Sequence, residues 1–445
     1  MLGLKDLIVT PVYIFLLYTL AFWIKSRFFK NDQRGTFLIH GLSIKIIGAL
    51  AFCLVYSFIY DGGDTSAYYK GSTVMFESAR EGWHVPFEIL FSHAHNHSFE
   101  YASYTSQIYA NAETTFMVIR FAFVFGLITF NTFTATAILF SVFSLSGLWA
   151  LFSTFRQYFP TYEKVIFYSI LLVPSMVFWG SGIMKDTLIL GFVGWLVYAL
   201  NNIFQRKKVI VNFILLAVAA FMIVRIKAYV FLAIIPSLGV WSLFNFIRGI
   251  GDKKLRLVAI PIVFALVIGA TLVASSQIVK MSQKFAIENI SQTIGSIQWY
   301  HSYLSEKNDG SGYTLGEFEP NLLNFLLKAP KAINVTLFRP YLWEARKPIM
   351  VFSAIEAFLF LIFTLFVVLR SGALNVIRII YNSNVLLMSF IFALVLSLAV
   401  GLTSYNFGAL VRYKIPVLPF YVVPLIIAYL EVNRAKKRGV TASLE

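Results

Sequence analysis

Residues 384–402 of this chain read NVLLMSFIFALVLSLAVGL, a stretch without a charged side chain. A helix of about 20 apolar residues crosses a hydrocarbon core about 30 Å thick. Similar runs recur along all 445 residues, and the chain is 58% hydrophobic and 13% charged, with a mean hydropathy of +0.75. Soluble domains carry about 25% charged residues. The composition therefore predicts an all-α, polytopic integral membrane protein.

These apolar runs predict eleven transmembrane helices and no separate soluble domain. The predicted spans are 7–24, 37–59, 131–155, 165–181, 187–204, 209–225, 229–247, 257–276, 349–369, 384–402 and 417–432. A shorter apolar run at 116–130 is interpreted as re-entrant or interfacial. We expect one membrane domain, 1–445, with two long extracytoplasmic loops at 60–115 and 277–348 and a basic cytoplasmic tail at 433–445.

Lysine and arginine predict the orientation, because they concentrate in the cytoplasmic loops of membrane proteins. The segments 25–34, 156–164, 205–208, 248–256, 370–382 and 433–445 hold 19 of the 37 basic residues. This places the N-terminus outside and the C-terminus inside. It also accounts for the net charge of +16 without nucleic-acid binding. The first run lacks a cleavage site and is expected to remain as a helix, and the single cysteine, Cys53, lies inside a span.

A polar stretch directly after the second predicted span reads DGGDTSAYYK at 61–70. Carboxylates are costly near hydrocarbon and often mark function when they lie at the mouth of a span. Because Gly62 and Gly63 permit a sharp turn, Asp61 and Asp64 are predicted to face a common cavity. The alternative is that both aspartates only end one helix and start a turn.

Basic residues also lie in short external turns, where positive charge is ordinarily sparse. These residues are Lys185, Arg225, Lys227, Arg412 and Lys414. A site for an anion, such as a lipid phosphate, would explain them. Two alternatives stay open: Lys185 forms a self-neutralising pair with Asp186, which caps the following span, or Arg225 and Lys227 extend toward lipid head groups.

Three further features invite a functional interpretation. His93, His95 and His97 alternate, as metal ligands on one face of a strand would, but no nearby carboxylate completes the set, so a solvated loop is favoured and no metal site is assigned. Glu356 lies within a predicted span and is expected to face protein or water. The aromatic-rich segment 339–346 is expected to anchor the chain at the membrane interface.

Three motifs carry a resemblance to known enzymes. DTSAYY at 64–69, just outside a span, resembles the first external loop of C-type (GT-C) membrane glycosyltransferases, which use polyprenyl-phosphate-linked sugars. VPSMVFWGSGIMKD at 173–186 and RYKIPVLP at 412–419 are similar to segments of those enzymes and of polysaccharide polymerases. The motifs cover a small part of the chain, whereas the layout of spans and loops agrees over most of it.

The resemblance implies transfer of a sugar from a polyprenyl-phosphate donor to an extracytoplasmic glycan, lipid or protein acceptor in cell-envelope assembly. Asp64 would accept the proton of the acceptor hydroxyl, and Asp61 would orient the sugar or share that role. The residues expected to bind substrate or its phosphate are Arg412, Arg225, Lys414, Lys227, Lys185, Asp186, Tyr68 and Tyr69. The expected location is a bacterial inner membrane with the site facing the periplasm or exterior. No cofactor is assigned, and a divalent metal stays open.

Two other functions remain as alternatives. One is an O-antigen or exopolysaccharide polymerase, in which donor and acceptor are both undecaprenyl-linked glycans. The other belongs to a different class, a transporter or lipid-glycan flippase, which would be expected to carry charges deep in several spans and often an internal repeat. Charges within the predicted spans are few, chiefly Lys45 and Glu356, and the sequence shows no repeat. Sugar transfer is therefore the favoured prediction.

Overall fold

The structure of the chain, a computed structural model, describes residues 1–60, 62–92, 101–108, 113–248, 312–313, 315, 322–345, 348–404, 406–437 and 439. These residues form helices and no β-strand; two of them, Gly312 and Asn406, make an isolated bridge. The all-α prediction is confirmed at this level. The described residues divide into two compact units, Met1–Thr154 with Leu171–Lys227, and Phe155–Ile170 with Ala228–Glu445.

Seventeen α-helices are numbered here in chain order over the described residues. The first eleven are α1 Leu4–Phe28, α2 Gln33–Phe58, α3 Asp64–Ser78, α4 His84–Phe91, α5 Ala102–Thr105, α6 Glu113–Thr129, α7 Phe133–Tyr158, α8 Glu163–Leu171, α9 Pro174–Trp179, α10 Lys185–Phe204 and α11 Val209–Arg248. The others are α12 Leu322–Phe338, α13 Pro348–Ser371, α14 Ala373–Asn382, α15 Asn384–Thr403, α16 Phe407–Tyr413 and α17 Leu418–Lys437.

Eight helical stretches of the described chain are long and apolar enough to cross a membrane. They are Leu4–Phe28, Gln33–Phe58, Phe133–Tyr158, Lys185–Phe204, Val209–Ile247, Met350–Ser371, Asn384–Thr403 and Phe407–Lys437. Each overlaps at least one predicted span, which supports an integral membrane protein. The predicted span 257–276 lies outside the described residues.

Three predicted spans differ in detail from the helices observed. The span 165–181 is not one helix, because α8 ends at Leu171 and α9 begins at Pro174, whose ring favours the first turn of a new helix. The spans 209–225 and 229–247 both fall in α11, which is interrupted at Lys227 (φ −147°, ψ 80°). The predicted re-entrant run 116–130 lies in the 17-residue helix α6, which is not among the eight.

The first unit is held together by close helix contacts. At Gly147 in α7, a Cβ atom would lie 2.0 Å from the carbonyl oxygen of Gly191 in α10, so only glycine permits this approach. Asp6 of α1 accepts a 2.8 Å hydrogen bond from the Thr134 backbone N–H at the start of α7. Helices α3 and α6, which follow the second span, pack against each other. This pairing places the polar residues of the long loop on a helical scaffold.

In the second unit, α15 packs against α12 and α17. Thr336 of α12 donates a 2.7 Å hydrogen bond to the Ser397 carbonyl of α15, and both side chains are buried. Helix α17 continues to Lys437, beyond the predicted end of its span, with Arg434, Lys436 and Lys437 in its last turn. Basic side chains there complement the partial negative charge at a helix C-terminus.

Candidate functional site

Six charged side chains of the first unit gather around the starts of α6 and α10 and the kink in α11. They are Glu113, Arg120, Lys185, Asp186, Arg225 and Lys227, and we call them the cation cluster. Four of the six are basic and two are acidic, so their net charge is +2. An excess of positive charge in a partly buried site favours an anionic ligand.

Two arginines of the cation cluster share one carboxylate oxygen. Glu113 Oε2, at the start of α6, accepts hydrogen bonds from Arg225 Nη2 at 2.9 Å and Arg120 Nη1 at 3.3 Å. Arg120 also donates from Nε to the Leu90 carbonyl at 2.7 Å and from Nη2 to the Ser92 carbonyl. Arg120 is thereby fixed in place, whereas Arg225 Nε is buried with no hydrogen-bond acceptor among the described residues. The Arg225 guanidinium therefore retains a donor for a ligand oxygen.

Lys185 lies at the first position of α10, where its side chain reaches α6. Its Nζ donates hydrogen bonds to the hydroxyl groups of Thr114 at 3.0 Å and Thr115 at 3.2 Å. These two hydroxyl groups orient the ammonium group of Lys185. Lys185 is half-buried, so its charge is screened less than that of a fully exposed lysine.

Asp186 and Lys227 form the buried part of the cation cluster. The Lys227 ammonium donates to Asp186 Oδ1, and the side chains are 6% and 0% exposed, respectively. Lys227 is the residue at which α11 departs from helical geometry. The ion pair therefore joins the kink in α11 to the first turn of α10. The salt bridge observed for Asp186 is thus with Lys227, whereas the alternative interpretation of the sequence paired Asp186 with Lys185.

The predicted catalytic carboxylates are described only in part. Asp61 lies outside the described residues. Asp64 is the first residue of α3 and is exposed; it follows Gly62 and Gly63, whose φ values of +97° and +116° suit glycine. The sharp turn expected from the two glycines is confirmed. The common cavity for Asp61 and Asp64 remains a prediction.

The two tyrosines of the Asp64 motif are tied into the first unit. Tyr68 is buried at 3% exposure. The Tyr69 hydroxyl donates a 2.7 Å hydrogen bond to the Asn131 carbonyl, and Asn131 in turn donates to Thr73 of α3. These contacts join α3 to the residues between α6 and α7. The Tyr69 hydroxyl thus makes a structural contact within the first unit, and its role in substrate binding remains a prediction.

Arg412 and Lys414, the other predicted phosphate ligands, belong to the second unit. Arg412 is half-buried near the end of α16, and Lys414, the next residue but one, is fully buried. Lys414 interacts electrostatically with Glu356 of α13, itself only 6% exposed. Glu356 thus faces protein, as expected for an ionisable group within a span. The structure groups Lys185, Asp186, Arg225 and Lys227 in the first unit; one site shared with Arg412 remains a prediction.

The segment 339–346, which the predicted topology places on the external side, contains an ion pair in addition to those of the cation cluster. Arg339 donates from Nε and Nη2 to the two carboxylate oxygens of Glu344, with an Nε to Oε2 distance of 2.9 Å. Burial disfavours the charged carboxylate, but hydrogen bonds from Arg339 and the Tyr341 backbone outweigh it and hold the pKa of Glu344 below its ordinary value. Trp343 is 79% exposed and stacks on Tyr341, which suits an interfacial anchor.

Sequence reasoning missed two members of the cation cluster, Glu113 and Arg120. Arg120 lies inside the apolar run 116–130, and a charged residue in such a run is a signal of a buried polar contact. Glu113 lies just before that run and carries no comparable signal. No group of three metal-binding side chains occurs in the part of the chain that the structure describes, and His93, His95 and His97 lie outside it.

Comparisons of the chain with protein-family models, with curated proteins and with solved structures find no match.

Proposed function

We propose that this protein is a membrane glycosyltransferase that moves a sugar from a polyprenyl-phosphate donor to an extracytoplasmic acceptor. The observation that carries the proposal is the cation cluster, in which the described residues bring two arginines and two lysines together with two carboxylates. A lipid-linked sugar presents its phosphate at the membrane surface, where charged residues at the ends of apolar helices can reach it. Five of the six cluster residues lie at helix starts or near a helix kink, where such contact is possible, and Arg120 lies in the middle of α6.

The proposed chemistry is a single displacement at the anomeric carbon. The acceptor oxygen forms a bond to that carbon while the bond to the phosphate oxygen breaks, and its electron pair remains on the leaving phosphate. Asp64 accepts the proton of the acceptor hydroxyl, with Asp61 orienting the sugar. Positive charge in the cluster stabilises the charge that grows on the phosphate. Arg225 suits this role because a guanidinium can bind two phosphate oxygens at once.

Ligand binding tests the phosphate site directly. Purified protein should bind a polyprenyl phosphate more tightly than the matching polyprenol, as measured by native mass spectrometry. Arg225→Ala should weaken phosphate-lipid binding by about tenfold or more, because hydrogen bonds to charged groups contribute about 1.5–3 kcal/mol. The affinity of Arg225→Lys should lie between those of the wild type and Arg225→Ala, since lysine keeps the charge but cannot donate two parallel hydrogen bonds to the phosphate. Arg378→Ala, which removes an exposed arginine on α14, is the matched control.

Catalysis is tested by detecting the product of sugar transfer. A lipid-linked sugar and an acceptor glycan, incubated with the protein, should yield a new glycosidic bond detectable by mass spectrometry. Absence of product across plausible donors, with binding intact, would remove the transferase proposal. If product forms only when both substrates are undecaprenyl-linked, the enzyme is a polymerase of the O-antigen or exopolysaccharide kind. A divalent metal is tested in the same assay by adding a chelator.

One observation favours a transporter or flippase as the second candidate. Each unit contains a short helix, a non-helical or 3₁₀ break and then a 20-residue helix: α9 and α10 in the first unit, α16 and α17 in the second. A buried charged residue lies in or next to each break: Asp186 is the second residue of the helix that follows the first break, and Lys414 lies in the second break. Interrupted helices in the two halves of a membrane protein often mark a transport site. Movement of a labelled lipid-linked glycan across liposomes, without a new bond, would support this candidate.

The proposed setting follows from the same features. The partners would be a polyprenyl-linked donor, a glycan, lipid or protein acceptor and the surrounding membrane lipids, with no nucleic acid. The proposed location is a bacterial inner membrane with the site facing the periplasm or exterior. Residues 384–402 and the other apolar helices support membrane insertion; the topology test below addresses the orientation.

A further inference from the structure

A buried, non-helical stretch connects α9 to α10. Residues 180–184 are all buried and lie between Trp179, which ends α9, and Lys185, which begins α10. Buried backbone groups cannot bond to water, so each needs a partner within the protein. Lys185 and Asp186 of the cation cluster follow this stretch directly. The position of this stretch therefore determines the positions of Lys185 and Asp186.

Lys45, in the middle of α2, supplies one of these partners. Its side chain is 1% exposed, and its Nζ donates a 2.7 Å hydrogen bond to the Gly180 carbonyl and lies 3.5 Å from Ser181 Oγ. Within the described parts of the chain, these are the hydrogen-bond partners of its amine, and neither is a carboxylate. Burying an ionisable amine is costly, whereas methionine would fill a similar space without that cost. The hydrogen bond to the Gly180 carbonyl is the contact that lysine makes here and methionine would not.

Other contacts fix both Lys45 and the stretch that it holds. Ser141 of α7 donates a 2.8 Å hydrogen bond to the Lys45 carbonyl, which anchors this part of α2. Within the stretch, the Thr187 hydroxyl donates a 2.8 Å hydrogen bond to the Gly182 carbonyl. Lys45 and Thr187 therefore satisfy two carbonyls of the same short stretch, those of its first and third residues.

The packing leaves little space for the stretch to shift. A Cβ atom on Gly180 would lie 3.3 Å from Lys45 Nζ, and one on Gly182 would lie 2.1 Å from the Phe52 ring. Lys45 and Phe52 thus contact the stretch from two positions on α2. A close-packed interior transmits a displacement to its neighbours. Loss of the Lys45 contact should therefore move the residues that follow it.

We infer that Lys45 is a positioning residue for the cation cluster: through Gly180 it sets the start of α10, and so the place of Lys185 and Asp186. It acts on the bound ligand only through these residues. The inference rests on the proposed binding of a lipid phosphate by the cluster, and it names a residue outside the cluster on which that binding depends.

The first test is a double-mutant cycle on polyprenyl-phosphate affinity. Lys45→Met should weaken binding severalfold or more, although no ligand contact is removed. In a Lys185→Met background its further effect should be clearly smaller than in the wild type, because part of the effect passes through Lys185. Arg378→Ala, which removes an exposed side chain on α14, should bind as the wild type does. Wild-type affinity in Lys45→Met, or multiplicative effects in the double variant, would overturn the inference.

The second test needs no ligand and separates this inference from the proposed function. The rate at which an amine-reactive reagent modifies Lys185 is measured by mass spectrometry, with the exposed Lys5 as internal reference. Lys45→Met should raise the Lys185 rate severalfold and leave Lys5 unchanged. An unchanged Lys185 rate overturns the positioning role. A raised rate in a protein that binds no lipid phosphate supports the positioning contact and rejects the proposed function.

A second variant covers the case in which Lys45→Met does not fold. Thr187→Val removes the hydroxyl bonds to the Gly182 and Trp179 carbonyls while keeping the shape of the side chain, and it acts on the same stretch through a different residue. It should raise the Lys185 modification rate in the same way. An unchanged rate in this folded variant would show that the stretch does not position Lys185.

Discussion

Lys227 and Asp186 form a salt bridge with both side chains buried, although they are 41 residues apart in sequence. The contact joins the residue that interrupts α11 to the second residue of α10. A buried charge without a partner is strongly unfavourable, so each of these two side chains offsets the cost of burying the other. The pair thereby holds two elements of the candidate site at a fixed separation.

Removing one partner of this pair should destabilise the protein more than removing both. Lys227→Met leaves the Asp186 carboxylate buried without its cation, and the expected cost is about 3–5 kcal/mol. Lys227→Met with Asp186→Leu should recover much of that loss. Thermal unfolding in detergent measures both variants, and Glu431→Gln, which breaks an exposed pair with Arg434, is the control with an expected cost of under about 1 kcal/mol. A double variant less stable than Lys227→Met would contradict the role given to the pair.

Asp64→Asn should separate proton transfer from substrate binding. The amide keeps the size of the side chain but cannot take the proton of the acceptor hydroxyl, so turnover should fall by about 10²-fold or more. Donor-lipid affinity and expression should stay near normal. Glu77→Gln, an exposed carboxylate change on the same helix α3, is the matched control and should keep full turnover. Full turnover in Asp64→Asn would instead direct attention to Asp61 or Asp186.

Arg412→Ala tests whether the second unit contributes to donor binding. If Arg412 contacts the phosphate before the reaction, the variant should bind polyprenyl phosphate more weakly and also turn over more slowly. Arg378→Ala serves again as the control. Loss of turnover with unchanged donor affinity would assign Arg412 to the transition state or the acceptor, and no change in either would remove it from the site.

Accessibility in intact cells should report the topology. In a Cys53→Ala background, a cysteine at exposed Glu81 should react with an impermeant thiol reagent, whereas one at Lys207 should react only after the membrane is opened. Lysines and arginines concentrate in the cytoplasmic loops of membrane proteins in general, and Lys207 lies in a basic turn that is predicted to be cytoplasmic. The reverse labelling pattern would place Asp64 and the cation cluster on the cytoplasmic side and reject an external site.

The Arg339–Glu344 pair should make stability depend on acid pH. The pKa of Glu344 is lower in the folded protein than in the unfolded chain, where it is about 4.3. Its stabilising contribution is therefore present above about pH 4.3 and lost as the pH falls through the folded pKa. Glu344→Gln should lower the melting temperature at pH 7 and differ less from the wild type as the pH approaches 3. Glu88→Gln, at an exposed position, should show no such trend.

Patterns local in sequence predicted much of the fold. The long apolar runs identified the helices that could cross a membrane, since a span is a property of about 20 consecutive residues. The glycine turn before Asp64 was predicted for the same reason. The break between α8 and α9 was missed, although Pro174 marked it, because the run 165–181 was apolar throughout the break. The burial of Ser181, Gly182, Ile183 and Met184, in the turn before Lys185, was also not predicted from the sequence.

The sequence by itself determined the class of the protein, the positions of most long helices and the concentration of charge at their ends. Tertiary structure alone decided that Asp186 pairs with Lys227, that Glu113 bridges two arginines and that Lys45 holds Gly180. The physical reason is the separation in sequence over which each kind of interaction acts. Hydropathy acts over adjacent residues, whereas an ion pair or a hydrogen bond depends on which helices pack together, and a linear pattern does not specify that packing.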